Sequence, residues 1–415
     1  MLGNVQIRRA KQADIAAAVQ TVTEAFHDDP TWAWAFPDAQ LRPEHFRRWW
    51  AVFVATDRRL ARQTALRELL KAASLDGLLV AHLPNIRYLS GFTGSAALLL
   101  VQSDGATLIT DFRYASQAPA EVGDAARVEI DQRSVWDRLG RILANRADTA
   151  LGIEAHALPV RDAERLSRLT SCRIVPTTEL VERLRAAKDP AEVAAIRAAA
   201  ELAQEALSEV LPQVRPGQTE LEIASVLEAA LRRRGSEWHP FPTIVASGPR
   251  SALPHARTSR RVLLRGELLL VDFGAQVDGY CADLTRTAVV GARADDRQRA
   301  MHDLVQTAQR RSLQQLRAGM PSCEGDALAR EVIVQAGFGD AFGHSLGHGL
   351  GLEVHEAPRL APNSDAPLPL HAVVTVEPGV YFPGWGGIRL EDDVYLGPSG
   401  TERLSDGRTE LLELV

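Results

Sequence analysis

Residues 268–287 read LLLVDFGAQVDGYCADLTRT, an apolar run that ends in Asp272, turns at Asp278-Gly279 and reaches a second acid at Asp283. Apolar stretches flanking Asp-Gly read as a β-hairpin. If the two-residue turn sits at Val277-Asp278, Asp272 and Asp283 stand directly opposite. Centred on Asp278-Gly279 they become diagonal neighbours, and either register leaves both on one face. Two buried carboxylates that close repel each other, so the pair needs a shared proton, a basic partner or metal cations.

Two later strands pose the same problem. HAVVTVEPGVY (371–381) and GGIRLEDDVYL (386–396), separated by the turn-forming PGWGG, place Glu377 and Glu391 at the inner ends of a second hairpin-like pair. A carboxylate in a strand built for the core is expensive unless neutralised, and a single one could be met by Arg389 or Arg286. Between the hairpins, GHSLGHGLGLEVHEAPR (343–359) brings His344, His348 and His355 together with four glycines that let backbone approach a ligand closely. Four carboxylates and an imidazole suit two divalent cations better than one, because carboxylates bridge and four negative charges match two doubly positive ions. No thiolates accompany them, which argues against a structural zinc site.

The rest of the chain bounds the answer. Its 415 residues suggest two or three domains, and 46% hydrophobic with 24% charged residues is the composition of an ordinary soluble protein. A formal charge of -6, with basic residues scattered among acids, excludes a general attraction to nucleic acid. Apolar stretches such as SAALLLV (95–101) fall short of the ~20 residues of a membrane helix. The opening MLGNVQIRRAKQAD breaks into charges too early for a signal peptide, so the expectation is a cytoplasmic protein with no membrane partner. Cys172, Cys281 and Cys323 have no metal-type spacing and are expected to be reduced thiols, with Cys281 a small core filler.

Three segments follow from the patterning. Over 1–55, the alternating VQIRRA, the helical ADIAAAVQTVTEAF and a tryptophan-rich stretch resemble the start of a GNAT-type N-acetyltransferase. The [QR]-x-x-G-x-[GA] loop that such an enzyme needs for its coenzyme pyrophosphate does not occur, so this segment reads as an appendage. Over 56–180, strands alternate with helices: RRLARQTALRELLKAASLDG as a helix stopped by Gly77, NIRYLSGFTGSAALLLV and ATLITDFRY as strands, then further helices and strands to CRIVPT. His82 beside Pro84 and the loop GFTGS are the only features there that hint at a site. Over 181–415, a helix starts at Asp189-Pro190 and another at Thr219, where Glu222 completes a capping box. Helices over 294–318 and 324–336 follow the hairpin.

D-x10-D, the histidine in SLGHGLGLEVHE, the glutamate in TVEPGVY and the first acid in IRLEDD occur in the order found in the pita-bread metallopeptidases. Residues 57–415 resemble that family, nearest to Xaa-Pro aminopeptidase and prolidase. The resemblance implies an α/β (α+β) chain with a creatinase-like N-terminal domain before a pita-bread catalytic domain. It implies that Asp272, Asp283, His348, Glu377 and Glu391 bind two divalent metals, manganese first and cobalt or zinc as alternatives. It also implies accessory roles for His255, in SALPHAR, and for His344 and His355. Arg389 would support the site at the substrate, and Arg359 would meet a substrate's free carboxylate.

The expected reaction is attack by a metal-bridging water on a peptide with proline after its N-terminal residue. Glu377 would be the general base, with His255 and His355 donating to the oxyanion. A homodimer is implied by the same resemblance. The alternatives are a creatinase-like hydrolase or a binding module on this fold, both disfavoured by the complete ligand set.

Overall fold

The computed structural model describes residues 58–144, 149–405 and 407–415, and the acetyltransferase-like segment 1–55 lies outside them. The chain divides into two compact units, one ending at Leu184 and the other starting at Arg185.

In the first unit, helix α1 (58–72) leads to β1 (Gly77–Val80). Gly77 opens this strand instead of stopping the helix. The turn before it is made by Ser74 at φ 55°, and a Cβ on Gly77 would come 2.9 Å from the Val101 carbonyl oxygen. NIRYLS, expected as strand, is helix α2 (Leu83–Ser90). Pro84 sits in its first turn and Gly91 closes it at φ 80°, a pair of end signals that outweighs a short apolar run.

Then come β2 (Ala97–Gln102), β3 (Gly105–Asp111), α3 (Gln117–Val122), β4 (Arg127–Asp131) and α4 (Val135–Leu143). β5 (Ala150–Glu154), α5 (Val160–Leu169), β6 (Arg173–Thr177) and α6 (Leu180–Arg185) complete the set. The six strands form one sheet in the order β4-β3-β2-β1-β5-β6. β1 is antiparallel to β2 but parallel to β5, so the order reverses between β1 and β5. Leu139, Leu143 and Leu166 of α4 and α5 pack on Leu79, Leu100 and Ile153 of the sheet.

The second unit begins with α7 (Pro190–Val210) and α8 (Glu220–Arg233), each started by a complete capping box, Asp189 with Glu192 and Thr219 with Glu222. Strand β7 (Ile244–Ser247) lies beside β8 (Leu268–Phe273). β9 (Gln276–Val277) and β10 (Tyr280–Cys281) flank the hairpin tip, and β11 (Leu284–Val290) returns along β8. Phe273 pairs with Leu284 and Asp272 with Thr285, which centres the turn on Asp278-Gly279. Both turn residues have positive φ, 49° and 76°, as a type I′ turn requires. The diagonal register is therefore the one adopted, with Asp272 and Asp283 on one face. The opposite face, Leu269, Val271, Phe273 and Leu284, packs on Ala199, Ala203, Leu207 and Leu227 of the two helices.

Helices α9 (Asp296–Gln315) and α10 (Ser322–Gln335) follow. The remaining strands are β12 (Gly347–Gly349), β13 (Glu356–Leu360), β14 (Val373–Val376), β15 (Gly379–Phe382) and β16 (Gly386–Arg389). β17 (Asp392–Gly397), β18 (Gly400–Arg403) and β19 (Leu412–Leu414) end the chain. β19-β11-β8-β7 form one sheet and β13-β12-β14-β17-β18 another. Val376 pairs with Asp392 and, beyond a break, Gly379 with Arg389. These pairs share a single register, which sets Glu377 across from Glu391 at the break. A bridge between Thr285 and Glu391 then joins the second hairpin to the first.

Among the described residues no helix is long and apolar enough to cross a membrane. All three cysteines are free, and burial pushes the Cys281 thiol up to about 12, which keeps it inert.

Candidate active site

The joined hairpins and the histidine-rich segment enclose a cavity of about 950 Å³. All ten residues singled out from the sequence line it: Asp272, Asp283, His348, Glu377, Glu391, His255, His344, His355, Arg359 and Arg389.

One wall is fixed by Arg389, which is buried at the end of β16. Its Nη2 donates to Asp272 Oδ2 at 2.6 Å, its Nε to Thr285 Oγ1 at 3.0 Å, and its Nη1 to Tyr381 Oη at 2.9 Å and the Pro254 carbonyl oxygen at 3.2 Å. Every nitrogen of the guanidinium is thus engaged by the protein. These contacts hold Arg389 in the cavity wall, where it positions Asp272, Thr285 and Tyr381. Thr285 in turn donates to Glu391 Oε2 at 2.6 Å. Tyr381 lies 2.9 Å from His344 Nε2, while His344 Nδ1 lies 2.8 Å from the Ser345 carbonyl oxygen. This network assigns a neutral His344 with its proton on Nδ1 and both nitrogens occupied. Burial first, then Arg389, pushes its pKa down to about 4, in keeping with that assignment.

His348 is differently placed. It lies on β12 between Gly347 and Gly349, and a Cβ at those two positions would fall 2.0 Å from the Thr375 carbonyl oxygen and 2.2 Å from that of Ala357. Only glycine lets the strand run this close to its neighbours. His348 Nδ1 faces the Gly349 carbonyl oxygen at 3.1 Å, leaving Nε2 aimed at Asp283 Oδ2, 3.7 Å away, and Glu377 Oε1, 3.6 Å away. A neutral imidazole held by its other nitrogen is the form that binds a metal. Burial, with His355 next, keeps the His348 pKa near 4. The rings of His348 and His355 are 4.3 Å apart. His255 and His355 are exposed at the rim, as is Arg359, the cross-strand partner of His348.

The acids carry the strain of the site. Burial raises Asp283 well above the carboxylate range, and Glu391, Asp272 and Glu377 add to it. Glu391 is raised likewise, by burial and then by Glu377 and Asp272. Burial lifts Glu377 to about 7 against the opposing pull of Arg389, and Asp272 is raised despite its ion pair with Arg389. Asp272 Oδ1 and Asp283 Oδ1 are buried with no hydrogen-bond partner. Donor atoms of Asp283, His348 and Glu391 lie within 4.8 Å of one another. Orphaned oxygens, mutual repulsion among acids and a poised imidazole together fit a divalent cation site.

Several supporting residues escape a reading of the sequence. Thr285 follows Asp283 by two, on the same face of β11, a period-two signal that could have found it. Asp393 accepts the Asp283 backbone N–H at 3.2 Å, and no local pattern distinguishes it from Asp392. Glu356, next to His355, is gripped by two cations from the start of this unit. Lys188 Nζ reaches it at 2.7 Å, and Arg185 pairs with both Glu356 and Glu353.

Residues 194–398 match the model of Metallopeptidase family M24, and residues 62–187 that of the Creatinase/Prolidase N-terminal domain. The uncharacterized peptidase YqhT of Bacillus subtilis is 38% identical over 84% of this chain and 99% of its own length. The chain belongs to metallopeptidase family M24. A Xaa-Pro dipeptidase of Pyrococcus horikoshii is 33% identical to the M24 chain over 83% of it and 97% of the relative. Among solved structures, a Xaa-Pro dipeptidase from Bacillus anthracis is similar with a TM-score of 0.82 and 36% identity, covering 86% of the M24 chain and 100% of the other. An X-Pro aminopeptidase from Thermotoga maritima gives 0.77 and 36%, covering 85% and 99%. The M24 chain therefore pairs a creatinase-type N-terminal domain with a pita-bread catalytic domain.

Proposed function

We propose that this chain hydrolyses Xaa-Pro peptide bonds, using two divalent cations held by Asp272, Asp283, His348, Glu377 and Glu391. The observation that carries the reading is the pair of orphaned buried oxygens on Asp272 and Asp283, set among two further acids and His348 in one cavity. Relatives similar over nearly their whole length carry Xaa-Pro peptidase names, which supports the choice of bond. The cations, when bound, supply Lewis acidity and lower the pKa of a water.

The chain's own groups do the rest. Glu377 takes a proton from the attacking water at its carboxylate and passes it to the leaving proline nitrogen. His255 and His355, at the cavity rim, donate to the scissile carbonyl oxygen as charge develops there. Arg359 offers its charge to the free carboxylate of a dipeptide. The scissile amide has no N–H, so recognition rests on the ring's shape and on the carbonyl. Phe241 and Pro242 supply apolar cavity wall for that ring.

The test is an assay of the metal-stripped protein with added manganese, cobalt or zinc, on a Xaa-Pro dipeptide and on a Xaa-Pro-Yaa peptide. Metal-restored hydrolysis of at least one is expected. Preference for the tripeptide selects an aminopeptidase, sole use of the dipeptide selects a dipeptidase, and no turnover with any metal refutes the reading.

A further inference from the structure

The sheet of the N-terminal unit reverses its order between the parallel strands β1 and β5. In open α/β sheets, ligands bind outside the carboxyl ends of the strands at such a reversal. Two histidines stand there. His82 lies two residues beyond the end of β1 and His156 two beyond the end of β5, with their rings 5.3 Å apart in an edge-on arrangement. Glu182, on α6, reaches between them: its Oε1 is 3.2 Å from His156 Nε2 and 3.9 Å from His82 Nδ1.

We propose that His82, His156 and Glu182 form a divalent transition-metal site of the zinc class, built entirely from the N-terminal unit. One donor atom from each lies within 4.8 Å of the others. Ligands bound at zinc distances in a tetrahedron sit about 3.4 Å apart, a value that the two separations from Glu182, 3.2 and 3.9 Å, bracket. Two imidazoles and a carboxylate are a zinc donor set that leaves a fourth position for water. His156 is 41% exposed, which gives the ion a way in.

A second tier of contacts holds these donors. Asn85 Nδ2 donates to Glu182 Oε1 at 2.5 Å and to Glu154 Oε1 at 2.6 Å. Glu154 Oε2 accepts the backbone N–H groups of Ala81 and His82, at 2.7 and 2.8 Å. The segment carrying His82 is therefore fixed by the same buried acid that orients Glu182 through Asn85, as outer partners of a metal site do. An ion bound here would staple α6, the last element before the catalytic unit, to the ends of β1 and β5.

The test counts zinc per chain after equilibration and gel filtration, for the full chain and for His82→Ala, His156→Ala and His156→Cys. All four are repeated with Asp283→Asn, which removes a donor from the peptidase cavity. Each alanine variant should hold one zinc fewer than its parent in both backgrounds. His156→Cys should retain the ion through its thiolate, and zinc should raise the parent's Tm more than either alanine variant's. Turnover of Xaa-Pro peptides stays at the parent's level in the three histidine variants. Equal zinc content in parent and alanine variants overturns the site, as does loss of zinc in the alanine variants only when Asp283 is present. Absence of peptidase activity would leave the zinc difference intact, so the two readings fail separately.

Discussion

Buried carboxylates meet two different fates in the catalytic unit. Glu220, at the start of α8, is fully buried, yet both oxygens are answered. Oε1 takes the Ser247 N–H at 2.8 Å and hydroxyl at 2.9 Å, Oε2 takes the Ser259 N–H at 3.0 Å and hydroxyl at 2.6 Å, and Arg250 spans both. Asp392 is similar, with Arg286 and Ser405 on one oxygen and Gln309 on the other. Asp272 and Asp283, no deeper, each keep an oxygen with no donor. Burial therefore does not set Asp272 and Asp283 apart from Glu220 and Asp392; the missing donor does.

That contrast breaks or sharpens under mutation. Asp283→Asn should lower turnover by ~10⁴-fold, about 5 kcal/mol of transition-state stabilisation. Metal content should fall with it. The same change should leave the metal-free fold as stable as before or more so, because it removes an acid that burial and its neighbours force to hold a proton. Denaturant unfolding in chelator checks this, and marked destabilisation would mean that Asp283 is satisfied after all. Glu220→Ala should do the opposite. It strands Arg250 and two serine N–H groups, costing about 3–5 kcal/mol of stability by the same measurement. Turnover per folded molecule should hold.

The smallest expected effect is on pH. Glu377 rises from 4.5 to about 7 in the metal-free fold, so its contribution to stability is present below 4.5 and lost as pH climbs through 7. Bound metal displaces that proton, so the Tm increment from added manganese should grow between pH 6 and pH 8, roughly across that value. An increment that shrinks over the same interval would contradict the shift.

The fold was legible where pattern and chemistry agreed. The Asp-Gly turn, the two acid-ended hairpins and the capped helices α7 and α8 all declare themselves locally, and all ten candidate residues line one cavity. NIRYLS misleads because six residues of mixed polarity carry little periodicity, and the proline before it and the glycine after it decide the outcome. The partners of Arg389, Pro254, Asp272, Thr285 and Tyr381, could not be read because they come from four separate stretches of chain. The cluster of His82, His156 and Glu182 is hidden for the same reason, its histidines brought together by the parallel pairing of β1 and β5 and its acid supplied by α6.

The grip of Arg185 and Lys188 on Glu356 bears on where the catalytic part can be cut free. Both cations precede α7 and lie upstream of residue 194, where the family match begins, yet they anchor the loop that carries His355. A fragment trimmed to the family boundary would contain every expected metal ligand and still leave Glu356 as a buried anion without counter-charge. The smallest portable catalytic piece of this chain thus starts at or before Arg185.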